Sequence, residues 1–310
     1  MKQQAIVKRL MKLRESEIKF DLKEGARFKE VFNHPDYLGL DQATQLEFGL
    51  HWARRLYQQE VDNPAIDNYF IDFDLSKYTK GSVMLDIGCY LGGKTVRWLE
   101  KYKAAEIYGV DIDPRFIQIA KNFAIEKKAN AYFKVNFAEN LEFPDSYFDV
   151  ILTEQTLEHV KDIKKVMQEC YRVLKQHGLM VVIFPSFWGP TSHHLDHVTR
   201  TPLIHWFFKF PILLEAYYSI MDERGDKARW YRRQDRHPLP FEKGFYINGI
   251  DATRFSNLIK GNWQIISDGF RQKRNKNKDI ILRAVENSIK ALPLPFMRAF
   301  FSIGYILQKR

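Results

Sequence analysis

Between Ser82 and Phe184, five short apolar runs alternate with longer amphipathic stretches, and this alternation constrains the fold more than any other feature. The runs are Ser82–Ile87 (SVMLDI), Ala105–Val110, Ala131–Val135, Phe148–Thr153 (FDVILT) and Leu179–Phe184 (LMVVIF). The spacing predicts helices over Lys94–Lys103, Pro114–Lys128 and Val160–Gln176. Pro114 is suited to a first helical turn, and Gly178 punctuates the end of the third helix. Val166, Cys170, Val173 and Leu174 give that third helix its apolar face. Strands this apolar must be covered on both faces, which means a parallel sheet with helices on each side, an α/β fold.

The flanks are read less directly. Residues 1–75 form an N-terminal helical segment, in which Ile6, Leu10 and Leu13 fall at helical spacing and Asp41 caps a helix running to about Gln59. Residues 76–310 form one domain, with insertions at about 186–250 and 271–300. Asp251–Lys260 reads as a helix, and Trp263–Ser267 and Phe301–Leu307 as strands. With 45% apolar residues the chain can bury a proper core, which excludes disordered and collagen-like classes. Two cysteines, Cys89 and Cys170, are too few for a disulfide framework or a thiolate metal site and suit a reducing cytoplasm. The basic N-terminus lacks the apolar core of a signal peptide. No stretch reaches 18 uncharged apolar residues, the length expected of a membrane span. Net charge is +10, and its distribution is uneven. Residues 1–80 hold 13 basic and 13 acidic groups, residues 81–184 hold 14 and 14, and residues 185–310 hold 21 and 11.

The segment VMLDIGCYLGG (Val83–Gly93) joins the first strand to the first helix. Glycines allow close backbone approach to a ligand, and a helix N-terminus offers free N–H groups. Such turns also serve dinucleotides, so the flanking acids decide the reading. Asp111 ends the second strand 23 residues after Gly88, where a carboxylate can accept hydrogen bonds from both ribose hydroxyls. Asp86 precedes the turn, where it favours a ligand with an ammonium group over one with a pyrophosphate.

These residues resemble the first motif of class I S-adenosylmethionine-dependent methyltransferases. YGVDIDP around Asp111 is similar to their ribose-binding acid. AENLEFPDSYFDVILTEQTLEHV (Ala138–Val160) resembles their third and fourth motifs, and ECYRVLKQHGLMVVIFP (Glu169–Pro185) their fifth-strand region. The resemblance implies a Rossmann-like sheet in the order 3-2-1-4-5-7-6, the seventh strand antiparallel, with Trp263–Ser267 and Phe301–Leu307 as strands six and seven. It implies S-adenosyl-L-methionine as cofactor, held by Asp86, Gly88, Cys89, Tyr90, Gly92, Asp111, Ile112, Phe137, Ala138 and Glu154. This chain departs from the pattern twice: Tyr90 stands where the family has its middle glycine, and Phe137 where the family commonly has an acid near the adenine. An aromatic at 137 can pack on adenine while the Ala138 backbone serves its edge.

Methyl transfer to a hydroxyl needs a base, and histidine is the natural one near neutral pH. His159 follows the fourth strand, while His193, His194 and His197 follow the fifth, in the run SHHLDH with Asp196; both stretches begin at the carboxyl edge, where open α/β folds bind ligands. His159, His194 and His197 are the candidate bases. Helix capping is the competing role for His159, and metal ligation the competing role for SHHLDH, although adjacent histidines rarely converge on one ion. The basic excess lies in the insertions where the family keeps acceptor specificity. Arg224, Lys227, Arg229, Arg232, Arg233 and Arg236 cluster with Trp230 and Tyr231, and Arg271, Lys273, Arg274, Lys276 and Lys278 form a second group. They fit an anionic small or lipid-linked acceptor, through bidentate arginine pairing, with peripheral membrane contact by the apolar stretches. Nucleic acid is the alternative partner. Against it, the fourth strand exits as TEQT, without the Asn/Asp-Pro-Pro pattern of amino-methylating enzymes or a nucleophilic cysteine. A non-catalytic binding module is the third alternative.

Overall fold

Seven strands form one sheet in the order β3-β2-β1-β4-β5-β7-β6 in the computed structural model, which describes residues 2–15, 32, 34–195, 198–224, 247–270 and 302–310. The strands are β1 (Val83–Ile87), β2 (Glu106–Asp111), β3 (Ala131–Val135), β4 (Phe148–Glu154), β5 (Leu174–Phe184), β6 (Trp263–Phe270) and β7 (Ile303–Lys309). Strands β1 to β5 pair in parallel, and β7 runs antiparallel to both β5 and β6. This is the Rossmann-like order expected from the sequence. The register sets Ile87 opposite Val110 and Asp111 opposite Val135, so the carboxyl ends of β1, β2 and β3 lie level.

The helices are α1 (Lys2–Leu13), α2 (Pro35–Leu38), α3 (Gln42–Asp62), α4 (Ala65–Tyr69), α5 (Ser76–Thr79), α6 (Gly93–Lys101), α7 (Pro114–Lys127), α8 (Ile163–Val173), α9 (Ile204–Phe207), α10 (Phe210–Glu223) and α11 (Ala252–Ile259). Local chemistry explains several starts. Asp41, Asp113, Asp162 and Asp251 each accept a backbone N–H in the first turn of α3, α7, α8 and α11, and Pro114 adds a fixed φ to α7. Side chains alternate between the two sheet faces as the pleat requires. Leu85, Ile87, Ile151, Met180 and Val182 pack with Val166, Cys170 and Val173 of α8 and Phe255 of α11. Met84, Val150, Leu152, Val181 and Ile183 pack on the other face with Trp98 and Leu99 of α6 and Tyr69 of α4.

Strand β6 runs on to Phe270 rather than ending at Ser267, β7 covers Ile303–Lys309 rather than Phe301–Leu307, and two further differences from the sequence reading have a clear physical cause. Helix α8 ends at Val173 rather than Gln176, because Leu174 already pairs with Phe148 and starts β5, with a register shift before Leu179 meets Val150. On α1 the buried residues are Val7 and Met11, with Leu10 packed beside them, while Ile6 and Leu13 are exposed. The reason is the partner: α1 lies against α10, whose Leu213, Tyr217 and Ile220 meet that face, and Lys8 and Lys12 both pair with Glu223 at the end of α10.

The chain condenses into two compact units: one of 1–45, 186–247 and 275–300, the other of 46–185, 248–274 and 301–310. The sheet belongs to the second. Among the described residues no helix is long and apolar enough to cross a membrane. The basic stretches at 227–236 and 271–278 lie outside the described residues, as do Asp196 and His197.

Candidate active site

The turn from β1 to α6 folds around three backbone positions of positive φ. Gly88 (φ 82°) and Gly92 (φ 76°) take the left-handed region, and so does Tyr90 (φ 51°), the residue at the family's glycine position. A side chain at 90 is therefore accommodated without losing the turn. The Tyr90 ring meets Phe116 edge to face, with centroids 4.6 Å apart, and its N–H donates to Asp111 Oδ2 at 3.0 Å. A Cβ at Gly92 would come within 2.8 Å of Ala120 and Phe133, so that position has no room for one. The N–H groups of Gly88 and Cys89 both donate to the Val110 carbonyl, which fixes the turn to the end of β2.

Asp111 faces this turn from the end of β2. Its two oxygens accept from Tyr90 N–H and from Asp113 N–H at 3.1 Å, which orients the carboxylate. Asn136 N–H holds the Asp111 carbonyl, and Phe137, the next residue, is partly exposed beside buried Ala138. Asp86 is buried and accepts from Thr95 Oγ1 at 2.5 Å. Burial pushes its carboxyl up to about 7, with the Thr95 hydrogen bond working the other way. Cys89 is buried too, and burial pushes its thiol well above the ordinary value, so it is no nucleophile.

Glu154, at the end of β4, pairs with Lys94 of α6 at 2.7 Å. No sequence signal marks this pair, because its members are 60 residues apart and only the β1–β4 pairing brings their elements together. Burial works against the Lys94 ammonium, but Glu154 overcomes it and the pKa lies above the ordinary lysine value. Glu60 of α3 is a third acid near Lys94. It accepts from Trp98 Nε1 at 2.9 Å and from Ala65 N–H at 3.0 Å. Its pKa is raised, first by burial.

Beyond β4, Leu157–His159 forms a single 3-10 turn. His159 Nε2 lies 3.7 Å from Glu158 Oε1, and Glu158 is buried. Asn248 fastens this turn: its side-chain amide donates to the carbonyls of Leu157 (2.6 Å) and Val160 (2.9 Å), and its N–H donates to the Glu158 carbonyl. His159 thus stands on a pinned turn and caps no helix; α8 starts later, at Ile163, with Asp162 as cap. His194, in the other unit, is partly exposed with φ 52°. His193 is fully buried and its Nδ1 accepts from Leu195 N–H at 2.9 Å, a structural use.

The donor set has a definite chemistry. It offers one oriented carboxylate for a diol and two for an ammonium, around a helix N-terminus. That fits an aminoacyl nucleoside better than a dinucleotide. The profile of the methyltransferase domain family matches residues 85–182. An uncharacterized methyltransferase, YcgJ of Bacillus subtilis, is 32% identical over 190 residues, covering 57% of this chain and 69% of that one. Ajmaline N-methyltransferase of Rauvolfia serpentina is 28% identical over 204 residues, 62% of this chain and 68% of its own. The crystal structure of YcgJ aligns with a TM-score of 0.45 at 17% identity, over 76% of this chain and 94% of the other. The chain belongs to the class I S-adenosylmethionine-dependent methyltransferases, with S-adenosylmethionine as its cofactor.

Proposed function

We propose that this enzyme methylates a hydroxyl of a small or lipid-linked acceptor that carries an anionic group. When bound, S-adenosylmethionine supplies an electrophilic methyl on a positively charged sulfur. In this reading Asp111 accepts the ribose hydroxyls, with Ile112 beside it, and Phe137 and Ala138 flank the adenine. The backbone of Gly88, Cys89, Tyr90 and Gly92 lines the methionyl end, where Asp86 and Glu154 attract the ammonium. The chain's work is then to orient the acceptor oxygen and take its proton.

The observation that carries the hydroxyl assignment is the pinned His159–Glu158 pair at the carboxyl edge of the sheet. A neutral imidazole there accepts the hydroxyl proton, and the buried carboxylate beside it stabilises the imidazolium that forms. His194 and His197 are the other candidate bases. The anionic character of the acceptor rests on the 21 basic against 11 acidic residues after position 184. Exposed Trp188 and Phe207 support a lipid-linked acceptor met at a membrane surface.

The similarity to an N-methyltransferase favours one other reading, an amine acceptor. A free amine needs no base in the transfer step itself, so the two are separable. With a radiolabelled methyl donor and acceptor extracts, a labelled ether or ester supports the hydroxyl reading and a labelled amine refutes it. His159→Gln should lower kcat about 100-fold or more while leaving cofactor affinity intact. Full activity in His159→Gln, His194→Ala and His197→Ala alike would refute catalysis by a histidine base.

A further inference from the structure

The methionyl end of the proposed site contains a cation that neither the motif nor the acceptor chemistry accounts for. Lys94 lies in the first turn of α6, directly after the glycine pair, and its ammonium sits among Glu154, Glu60 and Asp86. Two of these acids are otherwise engaged. Glu60 holds Trp98 Nε1 and Ala65 N–H, and Asp86 holds the Thr95 hydroxyl. Glu154 alone bonds Lys94 directly, with 10% of its side chain exposed against 31% for Lys94. The pair is thus largely withdrawn from water, and Lys94 keeps the more exposed side chain of the two.

An amino-acid ligand brings one ammonium and one carboxylate, the same two charges that this internal pair presents. We propose that Lys94 recognises the methionyl carboxylate of the cofactor, the Lys94–Glu154 pair opening as the zwitterion enters. Glu154 and Asp86 then take the ligand's ammonium, and Lys94 takes its carboxylate. Every ion keeps an opposite partner throughout, so no buried charge is left uncompensated. The position favours a carboxylate twice over, since the N-terminus of α6 adds its own positive end to the lysine charge. Lys94 is thereby a specificity residue: it distinguishes a complete aminoacyl nucleoside from one that lacks the carboxylate. The inference rests on the assignment of this turn as the cofactor site.

Titration calorimetry of the full chain tests it with three nucleosides. S-adenosylmethionine carries both charged groups of the amino acid, decarboxylated S-adenosylmethionine keeps only the ammonium, and methylthioadenosine has neither. The wild type should bind S-adenosylmethionine at least about tenfold more tightly than the decarboxylated form, the range expected of a hydrogen bond between charged groups. Lys94→Met should abolish that ratio by weakening S-adenosylmethionine alone, with methylthioadenosine affinity unchanged. Lys94→Arg, which keeps the cation, should retain most of the ratio.

A wild type that binds S-adenosylmethionine without this preference overturns the proposal, as does a Lys94→Met variant that keeps it. Loss of methylthioadenosine in Lys94→Met also overturns it, because the lysine would then support the fold instead of reading the carboxylate. A wild type that binds none of the three nucleosides refutes the site assignment itself, a result distinct from the others.

Discussion

Replacing Asp86 with asparagine should make the ligand-free protein more stable at pH 8 and a poorer binder of its cofactor. The carboxyl titrates near 3.8 when exposed and at about 7 in the fold, chiefly because it is buried. Below about pH 4 it is protonated in both states and contributes no pH dependence. Between pH 4 and 7 the folded chain keeps a proton that the unfolded chain has released, so stability falls by about 1.4 kcal/mol per pH unit. Above pH 7 the loss levels off at about 4 kcal/mol at most, the cost of holding an ionised carboxylate there. Asparagine is neutral at every pH, has nearly the same shape, and its Oδ1 can still accept from Thr95. The gap between Asp86→Asn and wild type should therefore be about 1.4 kcal/mol at pH 5 and widen to about 4 kcal/mol at pH 8. Urea midpoints at pH 5, 6, 7 and 8 measure this directly. Excess S-adenosylmethionine should reverse the order at pH 8, because a ligand ammonium stabilises the aspartate and raises wild-type stability through binding. A gap independent of pH, or a variant less stable than wild type at pH 8 without ligand, would falsify the argument.

Substitutions at three further positions test the scaffold. Gly92→Ala forces a Cβ against Ala120 and Phe133 at a left-handed position and should cost about 1–3 kcal/mol, read from the urea midpoint. Arg172 binds the carbonyls of Leu141 and Phe143 and the carboxylates of Asp145 and Glu169 at 2.7–2.8 Å. Arg172→Met should lower stability by about 2–4 kcal/mol, and Arg172→Lys should recover only part of it because an ammonium cannot fork between them. Burial depresses the pKa of His205, whose Nε2 lies 2.9 Å from the Phe187 carbonyl. Its contribution is present above the unfolded value near 6.5 and is lost as pH falls below it, because only the unfolded chain then takes up the proton. His205→Gln should flatten the fall in urea midpoint between pH 7 and 5; an unchanged slope would exclude His205 as its source.

Much of the sheet was legible because its signals are local. Ala131–Val135 is β3 at both ends, and Asp113 with Pro114 marks the start of α7, since a cap and a fixed φ act within one turn. The end of α8 was not legible. A helical pattern runs on to Gln176, but the pairing of Leu174 with Phe148 across the sheet outweighs it. The same holds for α1, whose spacing offers Ile6 and Leu13 as readily as Val7 and Met11 until α10 selects a face.

The candidate site divides in the same way. The glycines, Asp86 and Asp111 sit on consecutive pieces of one strand–turn–helix–strand unit, so the motif is legible from their order along the chain. Whether Tyr90 fits at the glycine position depended on its left-handed backbone and on Phe116 across the turn. The pairing of Lys94 with Glu154, and the pinning of the His159 turn by Asn248, join residues far apart in the chain. Sequence determines which charges exist and the local turns that display them. Tertiary structure alone decides which charges meet, because the energy of an ion pair depends on a separation of a few ångströms that only the assembled sheet fixes.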